Sequence, residues 1–376
     1  MAHAGLGQGW DCVFANDFSP MKCATYVDNW GGDHLFVGDI AKITAKNLPG
    51  EADLAWASFP CQDLSLAGGY KGLGKPGDNL KTRSGTFWLF HEKMRALQKF
   101  GRLPRTIVLE NVYGTLTSHN GTDFAAIIAA VADLGYRLGA MVIDARLFVP
   151  QSRPRVFIVA VRDDVAVPPT LLANEPVATW HPDKLVDAQA KIDPAIRDRW
   201  IWWRLKSPPV RKKQFIDVIE KKPIGVKWDS PEKTSHILGI MSELHRSKVA
   251  EAQKAGKPMI GGIYRRTRPD ENGRKRQRAE VRFDDVAGCL RTPAGGSSRQ
   301  SIIVVDGRNI RTRLLSPREA ARLMGLPDSY KLPQRYNDAY HVCGDGVAVP
   351  VVSHLAKNLL EPILNANVGQ VSAAAE

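Results

Sequence analysis

Cysteine is scarce and unpatterned in this chain of 376 residues. There are five, Cys12, Cys23, Cys61, Cys289 and Cys343, an odd number with no C-x-x-C spacing. That argues against a disulfide framework and against a tetrahedral zinc site, so no metal is expected. Long apolar runs are missing too. The longest, Phe124 to Ala132, holds nine residues before Asp133 interrupts it, about half of the roughly 18 that a membrane span needs. The opening Met-Ala-His-Ala-Gly-Leu-Gly lacks the basic-then-apolar pattern of a signal peptide. The reading is a reduced, cytoplasmic protein. Hydrophobic residues make up 44% and charged residues 24%, which excludes a disordered or collagen-like chain. No internal repeat is present, and the length suits two domains.

Positive charge is in excess, and the excess is local. The net charge is +13, and residues 197–282 alone hold 23 Lys+Arg against 10 Asp+Glu, so the remainder is neutral. Within that segment lie Arg211-Lys212-Lys213, Arg265-Arg266-Thr267-Arg268 and Arg274-Lys275-Arg276-Gln277-Arg278, with Trp200, Trp202, Trp203 and Trp228 in its first half. A solvated basic face would account for some of this. Clusters on one part of an otherwise neutral protein are the footprint of a phosphate-backbone binder. A membrane surface fits less well, because no basic helix with a clean apolar face is visible.

Residues 1–165 alternate short β-rich runs (Asp11–Ala15, Leu35–Val37, Leu54–Phe59, Thr106–Leu109, Arg137–Asp144, Arg155–Val161) with stretches of helical spacing (Met21–Trp30, Thr86–Phe100, Asp123–Leu134). Asp123 and Gly135 suit the two caps of the last helix. This alternation predicts an α/β domain with a mainly parallel sheet over residues 1–168, which binds ligands beyond the carboxyl ends of its strands. Prolines 168, 169, 176, 182 and 194 then mark a change of texture, and a smaller basic domain is expected over 169–328. Within it, Ser316, Pro317 and Gly325 bound a clear helix. Residues 329–376 are expected to return to the first domain, with Val347–Leu364 helical and the end frayed.

Three motifs sit where apolar strands meet loops. Ser58-Phe59-Pro60-Cys61-Gln62 places a thiol at such an end; it becomes a nucleophile only if ionised, and a small buried hydrophobe is the commoner fate. Val108-Leu109-Glu110-Asn111-Val112 puts a carboxylate in the same situation, suited to hydrogen-bonding a heterocycle or to bracing a loop. In Gln151-Ser152-Arg153-Pro154-Arg155 the alternating arginines point to one side of an extended chain, toward one pocket or toward solvent.

Taken together and in order, Pro60-Cys61-Gln62, Glu110-Asn111-Val112, the Gln-x-Arg-x-Arg of 151–155, Arg313-x-Leu-Ser-x-x-Glu-x-x-Arg-Leu-x-Gly-Leu-Pro through 327 and Gly344-Asp345-Gly346-Val347 resemble the motifs of the DNA (cytosine-5)-methyltransferases over nearly the whole chain. The resemblance implies a Rossmann-like, S-adenosylmethionine-dependent catalytic domain and a basic target-recognition domain acting on double-stranded DNA. Cys61 would attack carbon 6 of a flipped cytosine, Glu110 would hold ring nitrogen 3, and Arg155 and Arg153 would orient the base. The glycine-rich stretch after Cys61, through Gly74 and on to Ser84-Gly85-Thr86-Phe87, matches the family's mobile active-site loop, with Ser65 and Gly68 facing DNA. Asp17, Phe18, Asp39, Ile40, Pro60, Asp345 and Val347 would line the cofactor pocket. Asp345 stands where many members have asparagine. The family's first strand and F-x-G-x-G loop find no match: Met1 aligns just after them, and Ala4–Trp10 reads as the helix and turn that follow.

Specificity would come from about residues 170–312. Ala287-Gly288-Cys289-Leu290-Arg291-Thr292 resembles the family's recognition element, with Arg291 and Thr292 as DNA contacts and Arg291 reading guanine or holding a phosphate. The protein is expected to be a cytoplasmic, DNA-associated monomer of bacterial or phage type, serving a restriction-modification system beside a cognate endonuclease. An RNA cytosine-5 methyltransferase and a DNA binder with impaired catalysis are the alternatives. A cysteine hydrolase fails for want of a partner motif around His91, His119, His236 or His341.

Overall fold

Short apolar runs bounded by turn residues alternate with amphipathic stretches, and the computed structural model turns them into strands and helices in that order. It describes residues 1–60, 72–74, 83–269, 273–291 and 299–373. The chain forms two units, each built from separate stretches: Met1–Asp144, Pro154–Pro208 and Val351–Glu376 make the first, Ala145–Arg153 and Pro209–Pro350 the second. The chain passes between the units after 144, 153, 208 and 350.

In the first unit, α1 (Ala2–Leu6) is a single turn that ends at Gly7. β1 (Ala15–Asp17) and β2 (Leu35–Val37) pair in parallel, joined by α2 (Pro20–Trp30), which Ser19 caps and Pro20 opens. β1 begins four residues later than the apolar run does, because only Ala15–Asp17 find partners on the short β2. β3 (Leu54–Ala57), α3 (Thr86–Gln98), β4 (Thr106–Val112), α4 (Thr122–Ala132), β5 (Tyr136–Asp144) and β6 (Pro154–Arg162) follow. The cap of α4 is Gly121 (φ 93°) rather than Asp123. Asp123 instead turns inward and accepts from the Ser118 hydroxyl (2.5 Å) and the Leu73 N–H (3.2 Å).

The main sheet has the order β3-β4-β6-β5 and is mixed, not mainly parallel. β3 pairs parallel to β4, while β6 runs antiparallel to both β4 and β5. Three strands share a direction and the reversed β6 is inserted among them. The physical reason is the length of the β5–β6 connection: residues 145–153 are too few for the dozen or more that a parallel crossover needs. Ile107, Leu109, Val156, Ile158 and Ala160 point to one face, where they pack with Phe87, Met94 and Leu97 of α3 and Phe124, Ile127 and Val131 of α4.

β7 (Leu172–Ala173), α5 (Asp183–Ala190), α6 (Pro194–Arg197) and β8 (Trp202–Trp203) complete this part of the unit. The 199–201 backbone hydrogen-bonds Leu138 on both sides (3.0 and 2.8 Å). Gly139 permits that approach, since a Cβ there would lie 1.8 Å from the Ile201 oxygen.

The second unit contains α7 (Pro231–Gly239), α8 (Glu243–Gln253), β9 (Met259–Pro269), β10 (Lys275–Arg282), β11 (Ser301–Asp306) and β12 (Asn309–Leu314), then α9 (Pro317–Leu323) and α10 (Tyr336–Asp345). Its sheet, β10-β9-β11-β12, is antiparallel throughout. Ile237, Met241, Val249, Ile263, Val281, Ile303 and Val305 form its core. Ser316 and Glu319 close a capping box on α9. The same Glu319 receives the fully buried Arg313 guanidinium at 2.5 and 2.7 Å and the Glu220 N–H at 2.7 Å.

α11 (Val349–Leu355), one π-helical turn and α12 (Glu361–Ala373) lead back into the first unit. Asn367 exchanges hydrogen bonds with the Ala166 backbone (2.9 and 3.0 Å), and Trp10 donates to Glu361 (3.1 Å). By length and composition the helical stretch Tyr336–Asn367 would suit a membrane, but 56% of its most apolar window is buried within the protein.

His181 carries a pH response. Its Nδ1 accepts the Val177 N–H (2.8 Å), and its Nε2 is buried with no hydrogen-bond partner among the described residues. Protonating Nδ1 would break that bond in the protein interior, and burial pushes the pKa from 6.5 down to about 4. The folded pKa is depressed, so the stabilising contribution is complete above pH 6.5 and is lost as pH falls toward 4. Urea unfolding followed from pH 7 to pH 4 should show a loss of up to about 3 kcal/mol from this group. His181→Asn, whose Oδ1 replaces Nδ1, should flatten the profile.

Candidate active site

Strand pleating aims the two charged candidates at each other. In the β4–β6 register Glu110 lies opposite Phe157 and Arg155 opposite Val112, so both leave the same face, opposite the one that packs on α3 and α4. Arg155 Nε sits 3.2 Å from Glu110 Oε1, with the side chains 14% and 8% exposed. Trp56 and Phe157 meet edge to face on that same side (6.2 Å), giving the ion pair an apolar flank. A carboxylate with so little water around it needs its cation, and the pair offers two polarised groups for a planar heterocycle to bond.

Asn111 points to the other face. Its Nδ2 donates to the Phe59 carbonyl (3.3 Å), and its Oδ1 accepts the Val112 N–H (2.8 Å) and the Thr115 hydroxyl (3.3 Å). Ser84, fully buried just ahead of α3, donates to the Pro60 carbonyl (2.8 Å). Two side chains from different elements therefore hold the two residues before Cys61. Neither role was read from the sequence, although an asparagine directly after a strand-end carboxylate was a usable signal.

Cys61 itself lies outside the described residues, as do Ser65, Gly68 and Thr292 and most of the glycine-rich loop. Of that loop the structure describes Gly72–Gly74. Leu73 is 1% exposed in the core, its N–H bonded to Asp123, and Trp88 Nε1 donates to the Gly74 carbonyl (3.1 Å). Gly72 has φ 77°, and a Cβ there would lie 2.1 Å from the His119 ring. Two of the remaining thiols are poor nucleophiles at neutral pH. Burial pushes the Cys343 thiol up to about 12, and burial followed by the Asp17 charge raises that of Cys23.

The two arginines of 151–155 have different partners. Arg153 is not on β6 with Arg155 but in the second unit, 2% exposed. Its Nη1 donates to the Leu290 carbonyl (3.0 Å) and the Cys289 sulfur (3.4 Å), and its Nη2 to the carbonyls of Gly344 and Gly346 (both 2.7 Å). Gln151 adds a bond to the Leu323 carbonyl (2.8 Å) and one from the Leu290 N–H (3.1 Å), and Ala287 pairs with the backbone of 150–152. The expectation that both arginines reach one pocket is therefore corrected for Arg153: its donors organise backbone. Arg291, the next residue beyond this junction, is exposed. Asp345 closes α10, and Val347 is buried within the same unit at 5% exposure.

The cofactor candidates of the first unit gather at the carboxyl ends of β1 and β2. Asp17 Oδ1 accepts the Ser19 N–H (2.8 Å), and Asp39 Oδ1 accepts the Ala41 N–H (2.9 Å) just ahead of the half-buried Ile40. Asn16 Nδ2 bridges the carbonyls of Phe36 and Gly38 (3.0 and 2.8 Å), which fixes the two strand ends together. Phe18 projects beside them, 73% exposed. Two carboxylates that can accept from ribose hydroxyls and an adenine amino group, beside an open aromatic face for the ring to stack on, suit S-adenosylmethionine.

Fold and site together define an α/β group-transfer enzyme with a separate basic unit. The family model for C-5 cytosine-specific DNA methylase matches residues 2–361, and the chain belongs to that family. The family's reaction is S-adenosylmethionine-dependent methylation of carbon 5 of cytosine in DNA through a covalent cysteine adduct. Among its relatives, the type II methyltransferase M.HpaII of Haemophilus parainfluenzae is 28% identical over 95% of this chain and 85% of its own length. M.HhaI of Haemophilus parahaemolyticus is 24% identical over 93% of this chain and 88% of its own. In fold, the chain is similar to S. pombe Dnmt2 methyltransferase (TM-score 0.54, 20% identity, 95% of this chain and 93% of that one). It is likewise similar to a Spodoptera frugiperda DNMT2 variant (TM-score 0.58, 17% identity, 96% of each).

Arg153→Lys should lower the unfolding free energy by about 2–4 kcal/mol in denaturant melts, because one ammonium cannot span the carbonyls that two guanidinium nitrogens reach.

Proposed function

We propose that this chain methylates carbon 5 of a cytosine turned out of duplex DNA, with Cys61 as the nucleophile. The Glu110–Arg155 pair carries this reading: it joins β4 to β6, and the next residue on β4, Asn111, holds the Phe59 carbonyl two residues from Cys61. The Cys61 thiolate adds to carbon 6 of the ring. Glu110 holds nitrogen 3 and Arg155 the ring carbonyl oxygen, so the charge that develops on the ring is met by groups already in place. Carbon 5 thereby becomes the nucleophile. S-adenosylmethionine, held by Asp17, Phe18, Asp39 and Ile40 with Pro60 nearby, supplies an electrophilic methyl group when bound. With the methyl group passed to carbon 5 and its bond to the sulfonium sulfur broken, solvent water takes up the carbon 5 proton and Cys61 departs as a thiolate, which restores the aromatic ring.

Ser65 and Gly68 contact DNA from the loop that follows Cys61, and Arg291 and Thr292 from the recognition segment. Arg291 reads a guanine in the major groove, while the basic clusters of β9 and β10 hold phosphates. The protein acts as a cytoplasmic monomer, and a cognate restriction endonuclease would be its partner in function only.

Cys61→Ser should abolish methyl transfer to duplex DNA and leave DNA binding by gel shift within a few fold; surviving transfer would overturn the covalent route. Arg291→Ala should change which sequences are methylated. Uniformly weaker binding with an unchanged target would make Arg291 a phosphate contact instead.

A further inference from the structure

At the opposite ends of β1 and β2 from the cofactor carboxylates, four side chains from four different segments meet. His3 comes from α1, Cys12 from the approach to β1, Tyr26 from α2 and His34 from the residue before β2. One ring nitrogen of His3, one of His34 and the Cys12 sulfur lie within 4.8 Å of one another, and all three residues are half-buried. The Tyr26 hydroxyl stands among them, 2.8 Å from His3 Nδ1 and 2.7 Å from His34 Nε2, and it donates toward Cys12 Sγ at 3.4 Å. The one hydroxyl can donate to Cys12 and accept from both imidazoles, so it links the three side chains into a single polar cluster.

The supports around these groups fix their directions. His3 stacks on Trp30 (4.2 Å, 22° between planes), which sets its ring plane. The His34 carbonyl accepts the Ala15 N–H (2.8 Å), so the backbone carrying the second imidazole is tied to β1. Two imidazoles and a thiol are the donor types that a borderline-soft divalent ion selects. Tetrahedral zinc holds its ligand atoms about 3.3–3.7 Å apart, so atoms lying within 4.8 Å of one another need contract by at most about 1.5 Å.

We infer that His3, Cys12 and His34 form a site for one zinc-class divalent ion, with the Tyr26 oxygen as neighbour or fourth ligand. The ion is structural: it pins α1 to the amino ends of β1 and β2, at the far end of those strands from Asp17 and Asp39. The inference is independent of the proposed methyl transfer, because none of its residues belongs to that machinery.

The test uses the full chain, treated with chelator and then titrated with Co²⁺ under reducing, oxygen-free conditions. About one equivalent should bind, with a thiolate-to-cobalt charge-transfer band and tetrahedral d–d bands that Zn²⁺ abolishes, and added Zn²⁺ should raise Tm. The band should persist in Cys61→Ser and vanish in Cys12→Ser. If Cys12→Ser does not fold, His34→Gln serves in its place and should weaken Co²⁺ binding at least about tenfold. Absence of a thiolate band in the wild-type chain overturns the site. So does a band lost with Cys61 and retained without Cys12, or Co²⁺ binding unaffected by both the Cys12 and His34 changes.

Discussion

A carboxylate and a guanidinium 3.2 Å apart on the face of an apolar sheet set the terms for the catalytic unit. A lone carboxylate as buried as Glu110 would be costly, and Arg155 makes its burial tolerable. That pairing works in one register only, since a one-residue slip of β6 would send Arg155 to the opposite face. The reversed β6, inserted between β4 and β5 after a short connection, brings residue 155 diagonally opposite residue 110. Asn111, one step along and on the other face, carries the same strand end across to the backbone ahead of Cys61.

The second unit solves a similar problem with different acceptors. Arg313 is buried against a carboxylate that also caps a helix, so one residue, Glu319, serves ion pair, capping box and the Glu220 backbone at once. Arg153 is buried against carbonyls instead, and its planar fork allows two nitrogens to reach backbone on two segments. Both arginines belong to motifs that carried the family resemblance. Their surroundings show that residues within such motifs hold the framework.

Much of this was legible in the sequence, for definite reasons. Glu110 stands in an otherwise apolar strand and Arg155 at the start of another, which marked both as candidates while leaving a bracing or surface role open, and the family resemblance supplied Asp17 and Asp39. Ser316, Pro317 and Glu319 announce a helix start by local chemistry alone. Three features were not legible. The reversed β6 depends on the spatial order of strands, which periodicity does not encode. The separation of Arg153 from Arg155 depends on where the chain leaves one unit for the other, and Pro154 between them gives no sign of it. The His3–Cys12–His34 cluster joins residues with no recognisable ligand spacing, and a search for C-x-x-C patterns passes over it.

The nine residues 145–153 leave the first unit and return to it. During synthesis β5 and β6 emerge together, yet Arg153 must await Leu290, 137 residues later, and Gly344, 191 residues later. The ribosome therefore delivers a guanidinium whose permanent acceptors are still untranslated, and water must hold it until then. The same delay constrains inheritance. A second unit exchanged between relatives at 209 and 350 arrives without 145–153, and its carbonyls must meet the fork that the recipient supplies.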